Sequence, residues 1–126
     1  MKIQESAENY LEAILTLGRR NGSVRSVDIA AELDFSKPSV SVAMRNLRQS
    51  GCIEVDGDGF ITLTDKGKSI AEGVYERHTL ISQCLMALGV DGKTALEDAC
   101  RIEHVISSES FEAIRDFYVK MNAEKQ

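Results

Sequence analysis

Residues 26–63 read SVDIAAELDFSKPSVSVAMRNLRQSGCIEVDGDGFITL, and their patterning specifies a fold. From Ser26 to Leu33, the apolar residues Val27, Ile29, Ala30 and Leu33 recur on one stripe of a short helix, with Ser26 as its expected N-cap. Asp34-Phe35-Ser36 is a tight connection. A further helix runs from Lys37 to Ser50, with Pro38 in its first turn, where a missing N–H costs nothing. Val40, Met44 and Leu47 repeat at helical spacing as its core face, and Gly51 stops it. The runs Cys52–Val55 and Phe60–Leu63 alternate around Asp56-Gly57-Asp58-Gly59 and predict a hairpin.

Upstream, residues 5–17 carry Tyr10, Leu11, Ile14, Leu15 and Leu17 at helical period. Arg19, Arg20, Asn21 and Gly22 supply the cations and the glycine that a helix C-terminus favours. Downstream, Thr64 and Asp65 cap a long helix reaching about Leu88. Its stripe is Ile70, Ala71, Val74, Tyr75, His78, Ile81, Leu85 and Leu88, and Gly89 ends it. Two more helices are predicted over 93–106 and 109–121, the second capped by Ser107 or Ser108. Helix, short helix, tight turn, helix and hairpin make a winged helix-turn-helix. The fold class is therefore mainly α: a winged helix-turn-helix lobe over 1–70, of the kind that binds DNA, then an all-helical lobe over 71–126, which must bury its stripes and is the expected source of a dimer interface.

The 126 residues are enough for one compact domain or two small lobes. A composition that is 43% hydrophobic and 28% charged excludes disorder. No apolar run approaches the roughly 20 residues of a membrane span, and the polar start MKIQESAENY does not read as a signal peptide. Cys52, Cys84 and Cys100 cannot all pair and form no CxxC, so a reducing, cytoplasmic setting is expected. Cys52 reads as wing core, and Cys84 as core or dimer packing.

With 15 Lys+Arg against 20 Asp+Glu, the net charge of −5 argues against non-specific coating of nucleic acid. It does not exclude a local basic reading head. Between Lys37 and Gly51, Lys37, Arg45 and Arg48 are the cations and there is no acid. Ser36, Lys37, Pro38, Ser39 and Ser41 open the helix with small hydroxyls and a lysine, suited to base edges and phosphates in a major groove. Arg45 and Arg48, three apart, can hold the flanking backbone. Each reading has a plainer rival: Ser36 as an N-cap alone, and the two arginines as a solvated face. The acidic hairpin tip is a poor phosphate contact, so reading should rest mainly on this helix.

Glu97-Asp98-Ala99-Cys100-Arg101-Ile102-Glu103-His104 carries the other chemistry. On a helix, Cys100, Glu103 and His104 stand at i, i+3 and i+4 and share a face. Thiolate, carboxylate and imidazole form a first shell for a divalent transition ion. His78, on the apolar stripe between Val74 and Ile81, needs a partner, either a hydrogen bond in the core or a metal. Asn9 and Glu12, three apart on the first helix, are polar residues beside its apolar set, and solvent exposure is their default.

The order of elements, Pro38-Ser39-Val40-Ser41, and above all Cys100-Arg101-Ile102-Glu103-His104-Val105, resemble the diphtheria-toxin-repressor and manganese-transport-regulator family of bacterial metal-dependent transcriptional regulators. The resemblance covers essentially the whole chain. It implies ligands at Asn9, Glu12, His78, Cys100, Glu103 and His104. Cys100 is the choice of the iron type, whereas Glu12 and His78 are also used by the short manganese type. Asn9 departs from the family's Met or Asp, and Ser82 and Leu96 stand where the iron type's ancillary site has Glu and His. Ending at Gln126, the chain resembles the short form without an SH3-like domain.

The implied function is a metal-activated, homodimeric repressor of metal homeostasis that binds a palindromic double-stranded operator. It implies no membrane partner and no small organic substrate. Because a thiolate disfavours Mn²⁺, Fe²⁺ is expected first and Mn²⁺ second, with Co²⁺, Ni²⁺ or Zn²⁺ able to substitute in vitro. The alternatives are a metal-independent winged-helix regulator or interaction module, and a small metallohydrolase. Only two histidines and no glycine-rich phosphate loop weigh against the enzyme.

Overall fold

The structure, a computed structural model, describes residues 5–124. The first four residues of the polar start, and the outermost residues of both expected lobes, lie outside the described residues. Six helices and one hairpin follow in the order α1 (Glu5–Asn21), α2 (Ser26–Leu33), α3 (Lys37–Gln49), β1 (Ile53–Val55), β2 (Ile61–Leu63), α4 (Asp65–Ala87), α5 (Gly92–Val105) and α6 (Ser108–Glu124). The chain divides into two compact units, residues 1–73 and 74–126. Among the described residues, no helix is long and apolar enough to cross a membrane.

In the first unit, α1, α2 and α3 and the hairpin enclose one core built on Leu11, Ile14, Ile29, Val40, Met44, Leu47 and Ile53. The strands are antiparallel, with Ile53 opposite Leu63 and Val55 opposite Ile61. The hairpin is shorter than its alternation suggests, because Cys52 and Phe60 precede the paired residues. Ile61 N–H donates to Val24 O at 2.8 Å and ties the segment before α2 to the sheet.

The helix ends show where local chemistry outruns pattern. Ser26 is the first helical residue of α2 and not its cap. Arg25 is the N-cap, and the Asp28 carboxylate accepts its backbone N–H at 2.9 Å, the reach of an N3 acid back to the cap residue. Asp34 ends α2 in the left-handed region with φ 55, a conformation Asp tolerates better than most residues. Ser36 does cap α3, accepting from Ser39 N–H at 3.3 Å while its hydroxyl lies 2.8 Å from that of Ser39.

Thr64 joins the hairpin to α4: its hydroxyl donates to Gly51 O at 2.6 Å and accepts from Gly67 N–H at 3.2 Å. Three residues assigned to buried stripes are exposed, namely Val27 at 54%, Tyr75 at 40% and Leu88 at 81%. Periodicity places them near the apolar face, but each keeps a large share of its surface open to solvent. In the second unit, Ile81, Ala99 and Phe111 centre a smaller core joined by Leu85 and Ile102. Ser107 caps α6 by accepting from Ser110 N–H at 3.1 Å.

Candidate functional site

Helices α4 and α5 of the second unit bring three side chains together. His78 Nδ1 lies 3.0 Å from Glu103 Oε2 and 3.7 Å from Cys100 Sγ. One ligand atom from each of His78, Cys100 and Glu103 falls within 4.8 Å of the other two. The spacing explains the convergence from α5, since Cys100 and Glu103 are one turn apart and project from one face. His78 arrives from α4, where it sits between the buried Val74 and Ile81.

Glu103 is completely buried. Its other oxygen, Oε1, lies 3.3 Å from His104 Nε2. Although imidazole nitrogens flank the carboxylate, neither oxygen receives a hydrogen bond of acceptable geometry from the described residues. A carboxylate cut off from water and left without hydrogen bonds costs free energy. A divalent cation beside it removes that cost. Thiolate, imidazole and carboxylate are a fitting donor set for a divalent transition ion. The cluster is also open on one side, because Cys100 is exposed and the His78 side chain is one-fifth exposed.

Of the six residues named from the sequence, the structure thus gathers His78, Cys100 and Glu103. His104, its side chain buried, stands on the other side of the Glu103 carboxylate and outside that tight set. Asn9 and Glu12 are half-buried residues of α1 in the first unit.

The first unit displays the other named residues. Ser36, Lys37, Pro38, Ser39 and Ser41 are exposed around the start of α3, and Arg45 and Arg48 are exposed farther along it. The opposite face is held by buried Val40, Met44 and Leu47. The helix therefore presents hydroxyls and cations outward on a rigid core. Because Ser36 and Ser39 already bond each other, the cap reading of Ser36 stands whether or not it also touches a partner.

Sequence reading passed over Gly67 and Arg25. A Cβ on Gly67 would fall 2.0 Å from Cys52 O, so α4 starts directly against the hairpin backbone. Arg25 lies with its guanidinium carbon 4.3 Å from the Phe60 ring centroid. Neither leaves a local signal, because each relation joins segments well separated in the chain.

Comparison with known proteins accounts for both units. Residues 2–59 match the iron dependent repressor N-terminal DNA binding domain, and residues 64–123 match the iron dependent repressor metal binding and dimerisation domain. The transcriptional regulator MntR of Escherichia coli O157:H7 is 36% identical over 120 residues, 95% of this chain and 77% of that protein. The iron-dependent repressor IdeR of Mycobacterium tuberculosis is 31% identical over 109 residues, 86% of this chain but 47% of that one. Among solved structures, the manganese regulator SloR superposes with a TM-score of 0.79 at 28% identity, covering 94% of this chain and 54% of that chain. The chain thus spans about half the length of IdeR and SloR and about three-quarters of MntR. These relatives are named as regulators and not as enzymes. A mainly helical chain with a winged helix-turn-helix, a buried carboxylate among metal-ligating side chains, and family matches to each half has one reading: it belongs to the iron-dependent repressor family, the DtxR/MntR group of metal-dependent transcriptional repressors.

Proposed function

We propose that this protein is a homodimeric repressor that binds a palindromic operator when a divalent metal occupies a site built on His78, Cys100 and Glu103. The convergence of those side chains around a buried carboxylate without hydrogen bonds carries the reading. His104, beside the same carboxylate, completes the α5 set. Glu12 and Asn9 join as ligands by resemblance to the family, Asn9 through its amide oxygen. When bound, the metal supplies positive charge that neutralises the carboxylate and ties its ligands together. If Glu12 and Asn9 are among those ligands, binding couples the reading unit to the helical unit. Coupling free energies of this kind are typically about 1–3 kcal/mol, enough to change operator occupancy.

The metal we assign is Fe²⁺ first and Mn²⁺ second. A thiolate among the ligands favours the softer ion over Mn²⁺, which prefers oxygen donors. Co²⁺, Ni²⁺ and Zn²⁺ would substitute in vitro. The DNA-reading set is Ser36, Lys37, Pro38, Ser39 and Ser41, with Arg45 and Arg48 on flanking phosphates. Two such helices in a dimer would address half-sites about 34 Å apart. The dimer is supported by an apolar groove of about 450 Å³ in the second unit, lined by Leu85, Leu88, Ile102, Ile114, Phe117 and Met121. A reducing cytoplasmic setting suits the free thiols.

The test is the affinity for a duplex selected from a random-sequence pool, measured by fluorescence anisotropy in chelator and with Fe²⁺ (anaerobically), Mn²⁺ or Zn²⁺ added separately. The proposal expects weak binding in chelator and a large gain with metal, Fe²⁺ exceeding Mn²⁺. Equal affinity in chelator and in every metal would leave a metal-independent winged-helix regulator.

A further inference from the structure

The cations of the first unit fall into two groups. Arg20 pairs with Glu32 at 2.9 Å, and Arg19 and Lys68 approach Glu72 at 3.8 and 3.9 Å. Lys66 donates to Ser50 O at 2.9 Å. By contrast, the charged side-chain ends of Arg25, Lys37, Arg45 and Arg48 have no carboxylate partner among the described residues. Lys37, Arg45 and Arg48 belong to the reading helix. Arg25 does not: it precedes α2, and its guanidinium is laid over the ring of Phe60, which closes the wing's turn opposite Asp56.

The tip carries Asp56 and Asp58, a poor surface for a phosphate. Yet Asp56 Oδ1 is committed to the turn, accepting from the N–H groups of Asp58 and Phe60 at 2.9 Å each. Arg25 pairs with neither acid and rests on the aromatic face. A guanidinium stacked on a ring is held in place by the ring's quadrupole while its in-plane N–H groups stay free. Those donors match phosphate oxygens in geometry and charge. The stack also limits the rotamer freedom an arginine otherwise loses on binding.

We propose that Arg25, held over Phe60, is a contact to the DNA phosphodiester backbone, so that the wing serves DNA binding by holding this guanidinium on its aromatic ring rather than through the acids of its turn. This rests on the operator-binding reading above. Because the contact is to phosphate, it adds affinity without selecting sequence.

The experiment measures binding of the pool-selected duplex, and of a scrambled duplex, across a salt series in saturating Mn²⁺. The variants are Arg25→Ala, Arg25→Lys, Phe60→Leu and Arg20→Ala, each checked for unchanged helix content. Removing one phosphate contact lowers the slope of log affinity against log salt by about 0.9 and the affinity by roughly fivefold near 0.15 M salt. Arg25→Ala should show that change equally on both duplexes. Arg25→Lys should keep the slope. Phe60→Leu, which keeps the charge but loses the stack, should also keep the slope and lose about twofold in affinity. Arg20→Ala, removing a cation already paired to Glu32, should change neither quantity.

An Arg25→Ala slope equal to wild type overturns the proposal, whether or not affinity falls, because a folding or capping defect would leave the ion count intact. Failure of the wild type to bind any duplex with metal overturns instead the reading on which the proposal rests.

Discussion

His78 Nδ1, on α4, stands 3.0 Å from Glu103 Oε2, on α5, and Glu103 is completely buried. Both carboxylate oxygens lie outside hydrogen-bond geometry, and on the proposed function this contact would be one edge of a metal site.

Replacing Glu103 with Gln tests that reading through stability. The amide keeps the shape but removes a buried charge that lacks hydrogen bonds. The metal-free variant should melt a few degrees higher than wild type, corresponding to about 1 kcal/mol. Wild type should gain about 2.7 kcal/mol at a metal concentration about 100 times the dissociation constant, and E103Q should lose that gain. Thermal melts in chelator and in metal give both numbers. A metal-free E103Q that melts well below wild type would show that Glu103 is a structural ion-pair partner.

The three thiols should differ in reactivity. Cys100 is exposed, Cys52 is fully buried, and burial pushes the Cys84 thiol up from its ordinary value, holding it protonated at neutral pH. In chelator, iodoacetamide should label Cys100 first, Cys84 slowly and Cys52 only on unfolding. Metal should protect Cys100 alone. Peptide mass mapping over time reads each site.

On the proposed site, a metal would compete with protons for the Cys100 thiol and the His78 imidazole, so the apparent affinity should fall as pH falls. Competition with a calibrated chelator between pH 8 and pH 6 should show that loss. Cys100→Ser should show a shallower pH dependence, because one displaced proton is removed.

Gly67 predicts a sharp difference between two similar substitutions in α4. A Cβ there would meet Cys52 O at 2.0 Å, whereas at Gly73 nothing lies within 4 Å. Gly67→Ala should destabilise by about 3 kcal/mol by forcing the hairpin off the helix. Gly73→Ala should stabilise by about 0.5–1 kcal/mol through helix propensity. Urea denaturation of the two variants separates the effects.

The apolar groove predicts the assembly. Phe117 is 67% exposed and lines it beside Leu88, which is 81% exposed. Phe117→Glu should shift a sedimenting dimer to monomer while leaving stoichiometric metal binding intact. A variant that remains dimeric would place the subunit interface elsewhere.

Much of this architecture is legible in the chain because local chemistry dictates it. The α3 stripe of Val40, Met44 and Leu47, the cap at Ser36 and the turn from Asp56 to Gly59 need only neighbours in sequence. Cys100 and Glu103 share a face by spacing alone. What the sequence hides depends on distant partners. The start of α2 is the local exception: Arg25 takes the cap position that Ser26 suggests, with Asp28, three residues on, accepting its N–H. Tyr75 and Leu88 continue the α4 stripe but stay exposed, at 40% and 81%. The approach of His78 to α5, the Gly67 contact and the Arg25 stack each join segments that only folding brings together.

The central claim is that Cys100, with His78 and Glu103, holds the metal. Its most direct test is a Co²⁺ titration followed by absorption, because a thiolate bound to Co²⁺ gives a strong charge-transfer band. The account predicts a band that saturates with added Co²⁺ in wild type, vanishes in Cys100→Ser and persists in Cys84→Ser. No band in wild type, or a band that survives in Cys100→Ser, would contradict it.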